Sequence, residues 1–107
     1  MPKRELSNDD YAIVLACLQC VLQSDEIEDP EFRTRIGVVR EDIRKIIASW
    51  PIHEMDKMTR LAVNNCMVEV NYGIDLDERS WSRWFQVSKA EVEQTYRRWS
   101  ELEFDDA

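Results

Sequence analysis

The stretch FRTRIGVVREDIRKII (residues 32–47) sets two helical patterns on either side of a single glycine, and its reading decides the fold. Phe32, Ile36 and Val38 bracket Gly37, and Ile43 and Ile46 follow at helical spacing. Apolar positions spaced this way around a glycine break belong to a helix-turn-helix, whose two helices lock at a steep angle. Arg33 departs from the pattern, because that position usually holds a small residue packed against the second helix.

Outward from this unit, the punctuation is that of a helical chain. Ser7-Asn8-Asp9-Asp10 offers a capping box to YAIVLACLQCVLQ (residues 11–23), where Ile13, Cys17, Cys20 and Val21 share a face. Asp29 reads as a cap followed by proline at the first helical position, and Pro51 stops the third helix. Residues from about Glu54 to Tyr72 read as helix, with Gly73 as its C-terminal cap. Ser88-Lys89-Ala90-Glu91 is a capping box for a last helix, and the terminal EFDDA reads as frayed. Two glycines and three prolines suit short turns between helices, not hairpins, so the expected class is all-α.

Sliding the chain against itself by 49 residues aligns its halves without a gap. Val14 meets Val63, Cys17 meets Cys66, Ile27 meets Leu76, Phe32 meets Trp81 and Ile36 meets Phe85. Arg40 meets Lys89, Ile43 meets Val92 and Trp50 meets Trp99. Few pairs are identical, but the apolar register persists through a helix, a loop and two further helices. The second copy has Ser82 where Arg33 stands, but Gln86 where the turn glycine should be. The expected architecture is two tandem three-helix helix-turn-helix-like units, 8–50 and 57–102, joined by 51–56 and packed as one domain, 1–107. Its expected core is Cys17, Leu18, Val21, Phe32, Ile36, Ile43 and Trp50 with Cys66, Met67, Trp81, Phe85, Val92 and Trp99.

VNNCMVEVNYGI (63–74), followed by RWFQVSKAEVE (83–93), resembles small uncharacterised bacterial helix-turn-helix-like proteins built on an asparagine-rich helix. RIGVVREDI (35–43) resembles the same unit, so the likeness covers 11–50 and 60–99 as a tandem repeat. It implies a fold and names no activity.

At this length one domain buries roughly two-thirds of its unfolded surface without staples. No apolar run nears the ~18 residues of a membrane span, and none follows the basic start as an export signal would need. Three cysteines, an odd number, suit a reducing cytoplasm. Cys17-Leu18-Gln19-Cys20 lies in mid-helix without a second pair, so a zinc site is not expected. His53 has no acid or nucleophile beside it, and there is no glycine-rich phosphate loop. No enzyme, metal or cofactor is expected.

Charge is segregated. The formal net charge is −8, yet segments 32–50 and 79–99 each carry +3 and the remainder −14. Basic islands on reading helices would place Arg40, Arg44, Lys45, Lys89 and Arg97 against phosphates. Alternating acid and base at helical spacing gives the same pattern on an ordinary solvated face. SDEIEDPE (24–31) and DLDE (75–78) occupy matching loops; they lack the spaced ligands and central glycine of a calcium loop. Asp25, Glu26, Glu28, Asp75 and Asp77, with Trp81 and Trp84, form the candidate surface for a basic protein partner. Of these two tryptophans, spaced i, i+3, one is expected inside and one partly open. The favoured expectation is a non-enzymatic cytoplasmic regulatory or inhibitor protein acting by protein binding. The alternative is a helix-turn-helix DNA-binding transcriptional regulator. The net acidity, and a width of about 30 Å expected at this length, weigh against DNA.

Overall fold

Among the described residues, four of the six α-helices begin where a Ser or Asp side chain accepts one of the otherwise unpaired first N–H groups. The computed structural model describes residues 6–102; the frayed terminus expected at 103–107 lies outside them. Helix α1, Asn8–Leu22, starts as Ser7 Oγ accepts the Asp10 N–H at 3.1 Å. Helix α2, Asp29–Ile36, starts one residue earlier than expected: Glu28 is the cap and Pro30 the second helical residue. It ends at Gly37, whose φ of +96° only glycine adopts without strain. Helix α3, Arg40–Ala48, follows, with the Asp42 carboxylate accepting the Val39 N–H.

Helix α4, Lys57–Val68, is capped by Asp56. It widens into one π-helical turn, Glu69–Gly73, closed by the Ile74 N–H on the Glu69 carbonyl. Gly73 is therefore the last residue of that turn and not a left-handed cap, and its role is steric. A Cβ there would lie 2.9 Å from Glu69 Cδ and closer still to Oε1. That carboxylate folds back to take both arms of Arg35 from α2, Nε at 3.0 Å and Nη2 beside it. Helix α5, Glu78–Trp84, is capped by Asp77, and α6, Lys89–Ser100, by Ser88. Ser88 accepts from the Glu91 N–H, which is the forward arm of the expected box. Helices α4, α5 and α6 begin 49 residues after α1, α2 and α3: Lys57 and Asn8, Glu78 and Asp29, Lys89 and Arg40.

Packing centres on α1 and α4, which lie against each other. The middle helix of each sequence half crosses to the other half: α2 packs on α4, and α5 on α1. Helix α3 covers α1, and α6 touches both α1 and α4. One buried apolar cluster runs through all six helices and contains every expected core residue except Trp50. Trp50 is half-buried, its indole N–H donating to the Tyr11 carbonyl at 2.8 Å. The Cα radius of gyration, 13.4 Å, is that of a folded domain of this length, about 13 Å. No described helix is long and apolar enough to cross a membrane.

Candidate functional site

The acidic loops meet. Between α4 and α5, the Asp75 N–H donates to Glu26 Oε2 in the α1–α2 loop at 3.0 Å. Asp25, Glu26, Glu28, Asp75 and Asp77 are all exposed, in the two loops that this hydrogen bond joins. Two nearby acids have local duties. Asp77 accepts the Ser80 N–H at 2.8 Å, and the backbone and side-chain hydrogen bonds from Ser80 hold its carboxyl below the usual range. Asp29 pairs with Arg40.

The two tryptophans part company. Trp81 is buried, stacked on Phe85 with ring centroids 4.3 Å apart, and its N–H donates to the Val87 carbonyl at 2.8 Å. A ring so enclosed offers nothing to a partner, which corrects its place on the expected surface. Trp84 is half-exposed, with the Arg83 guanidinium 5.4 Å above its ring. Its indole N–H has no acceptor among the described residues, whereas those of Trp50 and Trp81 do.

Trp84 stands between two clefts on α1. One, of about 290 Å³, is lined by Ala12, Ile13 and Ala16 below, by Phe85, Gln86 and Val87 at the side, and by Asp9 and Glu91 at the rim. The other, of about 380 Å³, lies among Gln19, Leu22, Gln23, Ile47 and Arg83. The first exists because α1 presents small side chains one turn apart. Helix α5 also ends there in extended backbone at Phe85, with φ −123°. Helix α1 is apolar nearly all round: Val14, Cys17, Leu18 and Val21 are buried, while Ile13, Ala16 and Leu22 are half-buried. That all-round apolarity was the sequence signal for this cleft.

Two of the five expected phosphate-binding residues, Arg40 and Lys89, are engaged by backbone carbonyls of the fold. Arg40 turns back over the Phe32 ring, 4.5 Å from its centroid. Its Nε reaches Asp29 Oδ1 at 2.7 Å, and Nη1 donates to the Leu22 carbonyl at 2.5 Å. Nη2 donates to the carbonyls of Ile27 and Ser24. It thereby occupies carbonyls that the end of α1 and the following loop leave unpaired, and cannot also read a base. Lys89 does the same in the second half: its Nζ lies 5.5 Å above Trp81 and donates to the Leu76 carbonyl. Arg44 pairs with Glu41 at 3.2 Å and Arg97 with Glu93 at 3.0 Å, both at the surface, and Lys45 is exposed. The longest dimension is 41 Å, wider than expected, so width is no argument against DNA.

Burial pushes the Cys20 thiol up to about 11 and raises Cys17 and Cys66 well above the ordinary thiol range, so none is a thiolate nucleophile near neutral pH. Among the described residues, no three His, Cys, Asp or Glu side chains gather as a metal group. His53 lies edge-on to Tyr11, whose hydroxyl is 3.3 Å from Nδ1. No family model, curated protein or solved structure matches the chain.

Proposed function

We propose that this chain is a non-enzymatic cytoplasmic regulatory or inhibitor protein that holds a basic protein partner at the Trp84 cleft. The observation that carries the reading is a half-exposed tryptophan with an unused N–H, standing over an open apolar cleft rimmed by Asp9 and Glu91. Aromatic anchors beside desolvated pockets dominate protein interfaces, and flanking acids select a basic partner. Asp25, Glu26, Glu28 and Asp75 add a second carboxylate region. A helix-turn-helix DNA regulator is the weaker reading, because Arg40 and Lys89 already donate to backbone carbonyls of the α1–α2 and α4–α5 loops.

The scaffold in this proposal is a tandem of two three-helix units, 8–50 and 57–102, with 51–56 as the joint. The support is the 49-residue spacing of the helix starts, the reciprocal crossing of α2 and α5, and a cation over an aromatic ring at Arg40–Phe32 and at Lys89–Trp81.

The test is capture from the host by wild type, Trp84→Ala and Ala16→Arg, beside DNA binding over a salt series. A protein retained by wild type and lost with both variants supports the reading. Capture indifferent to both overturns it. So does sequence-selective DNA binding at physiological salt that needs Arg44 and Lys45, since phosphate contacts would then dominate.

A further inference from the structure

We infer that the segment held at Trp84 is an amphipathic helix of the partner, laid antiparallel along α1 with acid in its first turn and base in its last. The inference rests on the reading of the Trp84 cleft as a protein-binding site and names the shape and polarity of what binds there.

The two clefts beside Trp84 are halves of one groove, since Trp84 lines both. Along α1, Ala12 and Ala16 line the first half, and Gln19 and Gln23 the second. Steps of four, three and four residues keep these positions on one stripe of the helix. Ala12, Gln19 and Gln23 are exposed and Ala16 is half-buried. From Asp9 to Gln23 the stripe runs about 21 Å, the length of a helix of about fourteen residues. Ala12 and Ala16 interpose only methyl groups, so a second helix axis can approach to about 8 Å, the close end of ordinary helix packing. The clefts, about 290 and 380 Å³, each exceed several times the ~30 Å³ share of a water molecule and accept an aliphatic side chain. Their linings on α1 centre about two turns apart, so anchors at i and i+7 or i+8 of an incoming helix fill both.

Charge gives the groove a direction. Asp9 and Glu91 line the first half, with no base; Arg83 lines the second, with no acid. None of the three has an ion-pair partner among the described residues. Arg83 rests over the Trp84 ring instead, 5.4 Å from its centroid. Helices favour acids in the first turn and bases in the last, because of the partial charges at their ends. A helix antiparallel to α1 brings its last turn to Asp9 and Glu91 and its first turn to Arg83, so its ordinary end charges meet all three. The parallel direction sets like charges together at both ends, which is costly. The basic partner of the functional reading thus needs its bases at one end of the bound segment only.

A displayed library of peptides about sixteen residues long, with random anchors and ends on an alanine-rich helical frame, tests this by selection on the full protein. Enriched peptides should carry Asp or Glu in the first turn and Lys or Arg in the last. The best is then synthesised as selected, with its end charges exchanged, and with a mid-helix proline, and binding is read by fluorescence anisotropy. Exchanging the ends should weaken binding about tenfold. Arg83→Glu combined with Asp9→Lys and Glu91→Lys should reverse that preference, Trp84→Ala should abolish binding, and melts show that each variant folds. The proline peptide should not bind, because the residue breaks a helix. No enriched peptide, enrichment without this polarity, or a preference indifferent to the charge-reversed protein overturns the inference. So does undiminished binding of the proline peptide, which would make the occupant extended. If the inference fails in any of these ways while Trp84→Ala still loses a captured host protein, the functional reading stands. Peptides of the stated polarity with no captured host protein support the inference and remove the regulatory reading.

Discussion

The guanidinium of Arg40 lies 4.5 Å over the ring of Phe32 and donates to backbone carbonyls of Leu22 and Ile27. An outward-looking position on a reading helix thus serves as a clamp on the α1–α2 loop. Arg40→Ala should lower stability by about 1.5–3 kcal/mol, the range for hydrogen bonds to charged groups. Arg40→Lys should recover part of this, since Lys89 performs the equivalent task with one amine. Urea midpoints decide the matter. An unshifted midpoint for Arg40→Ala would mean that the cation is free for another use.

Gly73→Ala places a methyl group against the Glu69 carboxylate and should drive it off Arg35. We expect a loss of about 1–3 kcal/mol, the cost of leaving part-buried partners unpaired. Glu69→Ala removes the obstacle along with the ion pair, so Gly73→Ala should cost little more in that background. Additive losses in the double variant would show that the clash is not the cause.

Asp10 is buried between α1 and α6, and Arg98 binds both its oxygens, Nη2–Oδ1 at 2.7 Å and Nε–Oδ2 at 2.9 Å. Burial raises its pKa, but the hydrogen bonds from Arg98 and from the Thr95 hydroxyl outweigh that and leave it below the usual 3.8. A lowered folded value means the stabilisation is present above the unfolded pKa and lost as pH falls through the folded one. The stability gap between wild type and Asp10→Asn should therefore be level at neutral pH and close below about pH 4. A gap that stays constant down to pH 2 would place the effect in packing and not in charge.

Trp81 and Trp84 should separate folding from binding. Trp81→Ala removes a buried stacked ring and should cost about 3–5 kcal/mol, read as a fall in melting temperature. Trp84→Ala should shift the melt far less, because its ring is half open to solvent, while abolishing capture of the partner. Equal melting losses for the two would put Trp84 in the core and empty the cleft of meaning.

Helical periodicity made the helices legible, and every expected core residue but Trp50 is buried, though the core also takes in residues outside that list, among them Val14, Ile27, Val63 and Val70. Gly37 was readable because only a positive φ at that turn needs glycine. What escaped is where a long side chain goes after leaving its helix. Arg40 sits on an exposed arc by spacing, yet its reach brings it back to carbonyls of another element. The π-helical turn escaped because no local pattern distinguishes Glu69–Gly73 from ordinary helix; Arg35, 34 residues away, holds its carboxylate. The cleft at Trp84 arises between α1 and α5, which are neighbours only in space.

The crossing of α2 onto α4, and of α5 onto α1, bears on how the chain is born. A ribosome that has released the first fifty residues has delivered a helix whose resting place does not yet exist. Helix α2 must wait for α4, whose Asn65 amide donates to the Ile36 carbonyl, whereas α5 emerges onto an α1 already made. The nascent chain therefore keeps apolar faces of α1 and α2 open until α4 and α5 have emerged. A stop codon before α4 would leave α2 without the helix it packs on, a polypeptide fit for proteolysis and not a shorter working protein.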